Sequence, residues 1–85
     1  MSRPSGADAP APVLPGARVG VVGGGQLGRM WAQAAWRLGY LVAVWSDVAD
    51  APALALADLA IVAPYDDEAA LERFVAAVEV ATVEF

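Results

Sequence analysis

The stretch Arg18-Val19-Gly20-Val21-Val22-Gly23-Gly24-Gly25-Gln26-Leu27-Gly28 is the part of this chain best equipped for chemistry. A short apolar run ends in three glycines, and a helical pattern begins at once. Gly23, Gly25 and Gly28 have the G-x-G-x-x-G spacing in its meaningful setting, after a strand and opening a helix. Gly23 lets the chain turn tightly out of the strand, with Gly24 beside it in the same structural loop. Gly25 leaves no side chain where a ligand would approach the backbone, and Gly28 lets the helix pack closely on a sheet. The free N–H groups of the helix start, together with its dipole, favour an anionic or strongly polar group. The loop alone does not say which group that is.

Three other places in the chain carry candidate chemistry. A dinucleotide site wants an acid at the end of the second strand for the ribose hydroxyls; here Ser46 holds that place and Asp47 follows it. Glu84 stands near the end of the fourth strand. Read functionally, it is a carboxylate that accepts hydrogen bonds from a ligand's amine or hydroxyls; read plainly, it is a solvated strand end. Asp66, Asp67 and Glu68 have the composition of a metal cluster, but capping of a helix start accounts for them more simply, so no metal site is expected.

These residues need elements to position them. Val19 to Val22 reads as a buried strand, and Leu27, Met30, Trp31, Ala34, Ala35 and Leu38 recur at the spacing of one helical face, with Gly39 as the stop. Trp31 belongs to that face, whereas Trp36 falls toward the polar side. Leu41 to Trp45 is a second strand, and Ala53 to Ala57 a short helix introduced by Asp50 and Pro52. Ala60 to Ala63 is a third strand. Asp66 then caps a helix with Leu71, Phe74, Val75 and Val78 on its apolar face, and Val80 to Phe85 is a fourth strand. Such alternation predicts a doubly wound parallel α/β sheet, Rossmann-like, with strand order 3-2-1-4. Both carboxyl ends, of the first and the fourth strand, then reach one rim. A sheet of this size with uncovered faces and edge is expected to be a truncated piece of a larger protein.

Composition narrows the function. The formal charge is −5, and the five basic residues, Arg3, Arg18, Arg29, Arg37 and Arg73, are scattered rather than striped. That pattern argues against nucleic acid and anionic membranes as partners. Neither Cys nor His occurs, which removes disulfides, Cys-based metal sites and the commonest general base. Met1 to Pro15 is rich in Pro, Ala and Gly without apolar periodicity and reads as a disordered leader, without the basic start and apolar core of a signal peptide. No run approaches the roughly 18 apolar residues of a membrane span. A cytoplasmic protein is expected, with residues 16–85 as its ordered domain.

Taken in order, Gly23-Gly24-Gly25-Gln26-Leu27-Gly28-Arg29-Met30, Gly39-Tyr40, Asp50-Ala51-Pro52-Ala53, Ala57-Asp58, Tyr65-Asp66-Asp67 and Val83-Glu84-Phe85 form a set. This set resembles the amino-terminal, pre-ATP-grasp domain of 5-(carboxyamino)imidazole ribonucleotide synthases, ATP-grasp ligases of purine biosynthesis. The resemblance runs from about Leu14 to Phe85. It implies ATP-dependent carboxylation of 5-aminoimidazole ribonucleotide with bicarbonate, through carboxyphosphate, releasing ADP and phosphate. It also implies that this domain lines the nucleotide-substrate site, while ATP and Mg²⁺ sit in later lobes that this chain lacks, so that the piece alone is inactive. On the same likeness Gly25, Gln26 and Leu27 match loop positions that touch the ribonucleotide, Glu84 matches the carboxylate near its ribose or amine, and the enzyme is a homodimer. No NAD is expected.

One departure stands out. Family members commonly place Asp directly after the second strand and prolines in the following loop, where this chain has Ser46, Asp47, Val48 and Ala49. Two other readings stay open on the residues alone: an NAD(P)-binding dehydrogenase domain and a non-catalytic nucleotide-sensing module.

Overall fold

Valines at alternate positions dictate how the strands assemble. The computed structural model describes residues 14–83, in which β1 (Arg18–Val22), β2 (Leu41–Ser46), β3 (Leu59–Val62) and β4 (Val80–Val83) form one sheet. The order is β3-β2-β1-β4 and every pair is parallel, as the sequence predicts. Val19 pairs with Val42 and Val21 with Val44. These side chains share one face of the sheet, where they pack with Ala32 and Ala35 of helix α1 (Gln26–Arg37) and with Ala53. On the opposite face Ala43, Trp45 and Ile61 pack with Ala70 and Phe74 of helix α2 (Glu68–Ala77). A sheet covered on both faces explains why its strands read as continuous apolar runs.

Phe74 needs a gap in the sheet, and Gly20 provides it. A Cβ at Gly20 would lie 2.5 Å from the Phe74 ring. Because Gly20 has none, the ring is buried against Trp45, 5.8 Å between centroids. Burial of one such side chain stabilises by about 1.5–3 kcal/mol. Gly39 ends α1 at φ +93°, a conformation that suits glycine, and its N–H donates to the Trp36 carbonyl at 3.0 Å.

The structure corrects several local expectations. The side of α1 that faces the sheet consists of Gly28, Ala32 and Ala35, with Trp31 half-buried beside them; Leu27, Met30 and Leu38 are exposed. Close approach of the helix selects small residues for its inner side and leaves the large ones on the flank. In α2, likewise, Ala70 and Phe74 are buried while Leu71 and Val75 are exposed. Asp67, not Asp66, caps α2, its Oδ1 accepting from the Ala70 N–H at 3.0 Å. The short helix is a 3-10 turn over Pro52–Leu56, preceded by Ala51 and with no side-chain cap from Asp50. β2 extends one residue further than expected, which places Ser46 inside the strand, and β3 begins one residue earlier.

At the amino ends of the strands, Asp58 ties three elements together. Its Oδ1 accepts from the Val42 N–H, its own N–H donates to the Val42 carbonyl, and its Oδ2 pairs with Arg18 Nε at 3.0 Å. Arg18 also reaches the Ala77 carbonyl at the end of α2. The leader up to residue 13, and Glu84 and Phe85, lie outside the described residues.

Candidate functional site at the carboxyl rim

The glycine loop leaves β1 through a single sharp bend. Gly23 has φ +107°, and its N–H donates to the Trp45 carbonyl at 2.8 Å, so the loop is pinned to β2 as it turns. Gly28 then seats α1 on this bend, because a Cβ there would come within 2.5 Å of the Gly23 carbonyl oxygen. Gly25 is different. Its φ of −72° and ψ of −166° are open to any residue, and a Cβ on it would meet no atom within 4 Å. Protein packing therefore does not require glycine here, and the backbone at Gly25 stays open to approach from outside. Gly25 is also the N-cap of α1 and supplies no side-chain cap. The first N–H groups of the helix are left for an outside acceptor.

Beside the loop lies an open cavity of about 520 Å³, lined by Gly23, Gly24, Gly25, the Ser46-Asp47-Val48 segment, Asp50, Ala51, Pro52 and Tyr65. It sits at the carboxyl ends of β1, β2 and β3, the rim where open α/β sheets receive ligands. Ser46 is only 1 % exposed, and its Oγ accepts from the Val48 N–H at 3.1 Å, which folds the loop after β2 back on the strand end. Asp47 and Asp50 are exposed at the cavity. Tyr65 is held there by the edge of Trp45, 5.6 Å between ring centroids, and Trp45 is itself anchored by its Nε1–H to the Ala63 carbonyl at 3.0 Å. The cavity wall thus offers backbone N–H groups, a hydroxyl, two carboxylates and an aromatic ring. A polar ligand rich in hydroxyl or amine donors suits that set.

Of the residues singled out in the sequence, Gly25 lines this cavity. Gln26 and Leu27 stand exposed on the first turn of α1, next to the cavity but not part of its wall. Glu84 lies outside the described residues. The residue before it, Val83, pairs with Val22 immediately ahead of the glycine loop. Asp50 and Tyr65 were missed as site residues. Each follows a strand at the carboxyl rim, and that position was the signal available. Among the described residues no group of three potential ligands could hold a metal ion.

Sheet order, glycine loop and rim cavity define an α/β domain of the doubly wound class. Residues 16–85 match the ribonucleotide synthetase pre-ATP-grasp domain, and the chain belongs to that family. It is 49% identical over 71 residues to the N5-carboxyaminoimidazole ribonucleotide synthase of Brucella melitensis, covering 84% of this chain and 20% of that protein. It is 42% identical over 73 residues to the enzyme of the same name from Bacillus subtilis, covering 86% and 19%. Among solved structures, N5-carboxyaminoimidazole synthetase from Staphylococcus aureus complexed with ADP superposes with a TM-score of 0.83 at 44% identity, over 86% of this chain and 20% of that one. The chain therefore spans about a fifth of the length of the curated relatives it matches.

Proposed function

We propose that this domain forms the nucleotide-substrate side of an N5-carboxyaminoimidazole ribonucleotide synthase of purine biosynthesis. The whole enzyme would carboxylate the exocyclic amine of 5-aminoimidazole ribonucleotide, with ATP and bicarbonate consumed and ADP and phosphate released. The observation that carries this reading is Gly25: a glycine that neither backbone nor packing requires, at an uncapped helix start on the ligand-binding rim. The likeness to named synthases supports the choice of substrate.

In this reading the backbone of Gly25, Gln26 and Leu27 binds the ribonucleotide. Glu84, one residue beyond the β4 strand that pairs with β1, accepts hydrogen bonds from its ribose or amine. ATP and Mg²⁺ are held by other lobes of the whole enzyme, and no step of their chemistry is assigned to this domain. The 85-residue chain alone is accordingly catalytically inactive. We further propose a cytoplasmic homodimer. Among the described residues no helix is long and apolar enough to cross a membrane. The family match favours this reading over an NAD(P)-binding dehydrogenase domain or a nucleotide sensor.

Titration of the isotopically labelled chain with 5-aminoimidazole ribonucleotide tests the proposal. Amide signals of Gly25, Gln26 and Leu27 should move with saturation, and NADH should leave them in place. Movement with NADH alone would contradict it.

A further inference from the structure

Within the run Asp50-Ala51-Pro52-Ala53 the site chemistry uses the Asp50 carboxylate but assigns nothing to the two alanines, which lie directly against the glycine loop. Ala51 and Ala53 are both buried. A Cβ on Gly24 would stand 2.5 Å from the Ala51 Cβ, and 3.0 and 3.1 Å from the Cβ and Oγ of Ser46. Gly24 is therefore glycine because Ala51 and Ser46 fill the space beside it. Pro52 has no N–H, and the next donor along, the Ala53 N–H, bonds the Gly24 carbonyl at 2.9 Å. The Ala53 methyl group is at the same time locked into the core with Val19, Val21 and Val44. In a trans peptide the C=O and the following N–H point in opposite directions. Fixing the Gly24 carbonyl toward Ala53 thus turns the Gly25 N–H away from it.

We propose that Ala51 is a positioning residue: its methyl group against Gly24 sets the height of the glycine loop, and with it the direction in which the Gly25, Gln26 and Leu27 backbone meets the ligand. The ligand side of this inference rests on the function proposed above; the packing side does not. Ala51 is 8% exposed, so only the edge of its methyl group reaches the cavity it lines. It acts through Gly24, and together with the Ala53–Gly24 hydrogen bond it makes the two loops flanking the cavity one rigid wall.

The test uses the full 85-residue chain and the variants A51V, A51S, G24A and G24A/A51G, with F74L as a core control on the opposite face. The backbone at Ala51, φ −63° and ψ 137°, accepts any of these residues, so side-chain volume is what changes. A51V should shift the Gly25 and Gln26 amide signals and weaken 5-aminoimidazole ribonucleotide binding by about tenfold or more. A51S should do the same to a smaller degree and serves in place of A51V if that variant does not fold. F74L should lower thermal stability without moving those amides. G24A should lower the Tm, and A51G added to it should restore part of the loss, the share due to the Ala51 contact rather than to Ser46. Unchanged Gly25 and Gln26 amides in both Ala51 variants would overturn the proposal, as would a double variant no more stable than G24A. Failure of the wild-type chain to bind the ribonucleotide would refute the proposed function instead, and the amide shifts and the Tm rescue would still decide the positioning role.

Discussion

The Gly23 carbonyl oxygen lies 2.5 Å from the point that a Cβ on Gly28 would occupy. That one contact sets the distance of α1 from the sheet, and so the place of the helix start at the rim. In an exposed helix, Gly→Ala gains about 1 kcal/mol. Here the obstacle is backbone, which cannot swing aside, and overpacking costs about 1–3 kcal/mol. We expect G28A to lower stability in spite of its better helix propensity, as measured by urea unfolding.

Gly25 gives the opposite sign. Serine is a better N-cap than glycine, and nothing within 4 Å obstructs a Cβ there. G25S should therefore leave stability unchanged or raise it by a few tenths of a kcal/mol. If a ligand approaches this backbone, the same substitution should weaken ribonucleotide binding by about tenfold or more. Equal affinity in both forms would show that Gly25 is not at the binding surface.

Asp58 holds β1 and β2 together at the amino ends of the strands. Its carboxylate accepts from the Val42 N–H and pairs with Arg18, at a position about one-third exposed. Exposed ion pairs contribute little, so the backbone hydrogen bond is the larger part of its effect. D58A should cost about 1–3 kcal/mol, and D58N, which keeps the acceptor oxygen, should recover much of it. Denaturant midpoints of the two variants provide the comparison.

The start of α2 separates capping from mere proximity. D67A removes the acceptor for the Ala70 N–H and should cost about 0.5–2 kcal/mol. D66A, one residue earlier, should change stability by less than about 0.5 kcal/mol. Equal losses in the two variants would mean that general charge near the helix start, rather than the Asp67 cap, is responsible.

Strand order and the parallel arrangement were legible in the sequence because apolar runs alternating with helical patterns leave few topologies. The roles of Gly23, Gly28 and Gly39 were equally plain, since a tight bend, a close helix and a helix stop each demand glycine. Which side of α1 faces inward was legible only in part: Trp31 and Ala35 pack on the core as expected, but Ala32 was not recognised. Ranking residues by hydrophobicity chose Leu27, Met30 and Leu38, whereas the short distance imposed at Gly28 admits only Ala32 and Ala35. Gly20 was unreadable for a related reason: its partner Phe74 is 54 positions away in the chain, and only the fold brings the two together. The same is true of Gly24 and Ala51, and of Tyr65, which reaches the cavity through its packing on Trp45.

The most direct measurement is ADP release by the Bacillus subtilis synthase with its matching segment replaced by residues 14–85 of this chain. If this domain presents the nucleotide substrate, release should depend on 5-aminoimidazole ribonucleotide. E84Q in the same hybrid should weaken that dependence by about 1.5–3 kcal/mol, the value of a charge-assisted hydrogen bond. ADP release by the hybrid at the same rate with and without the ribonucleotide would contradict it.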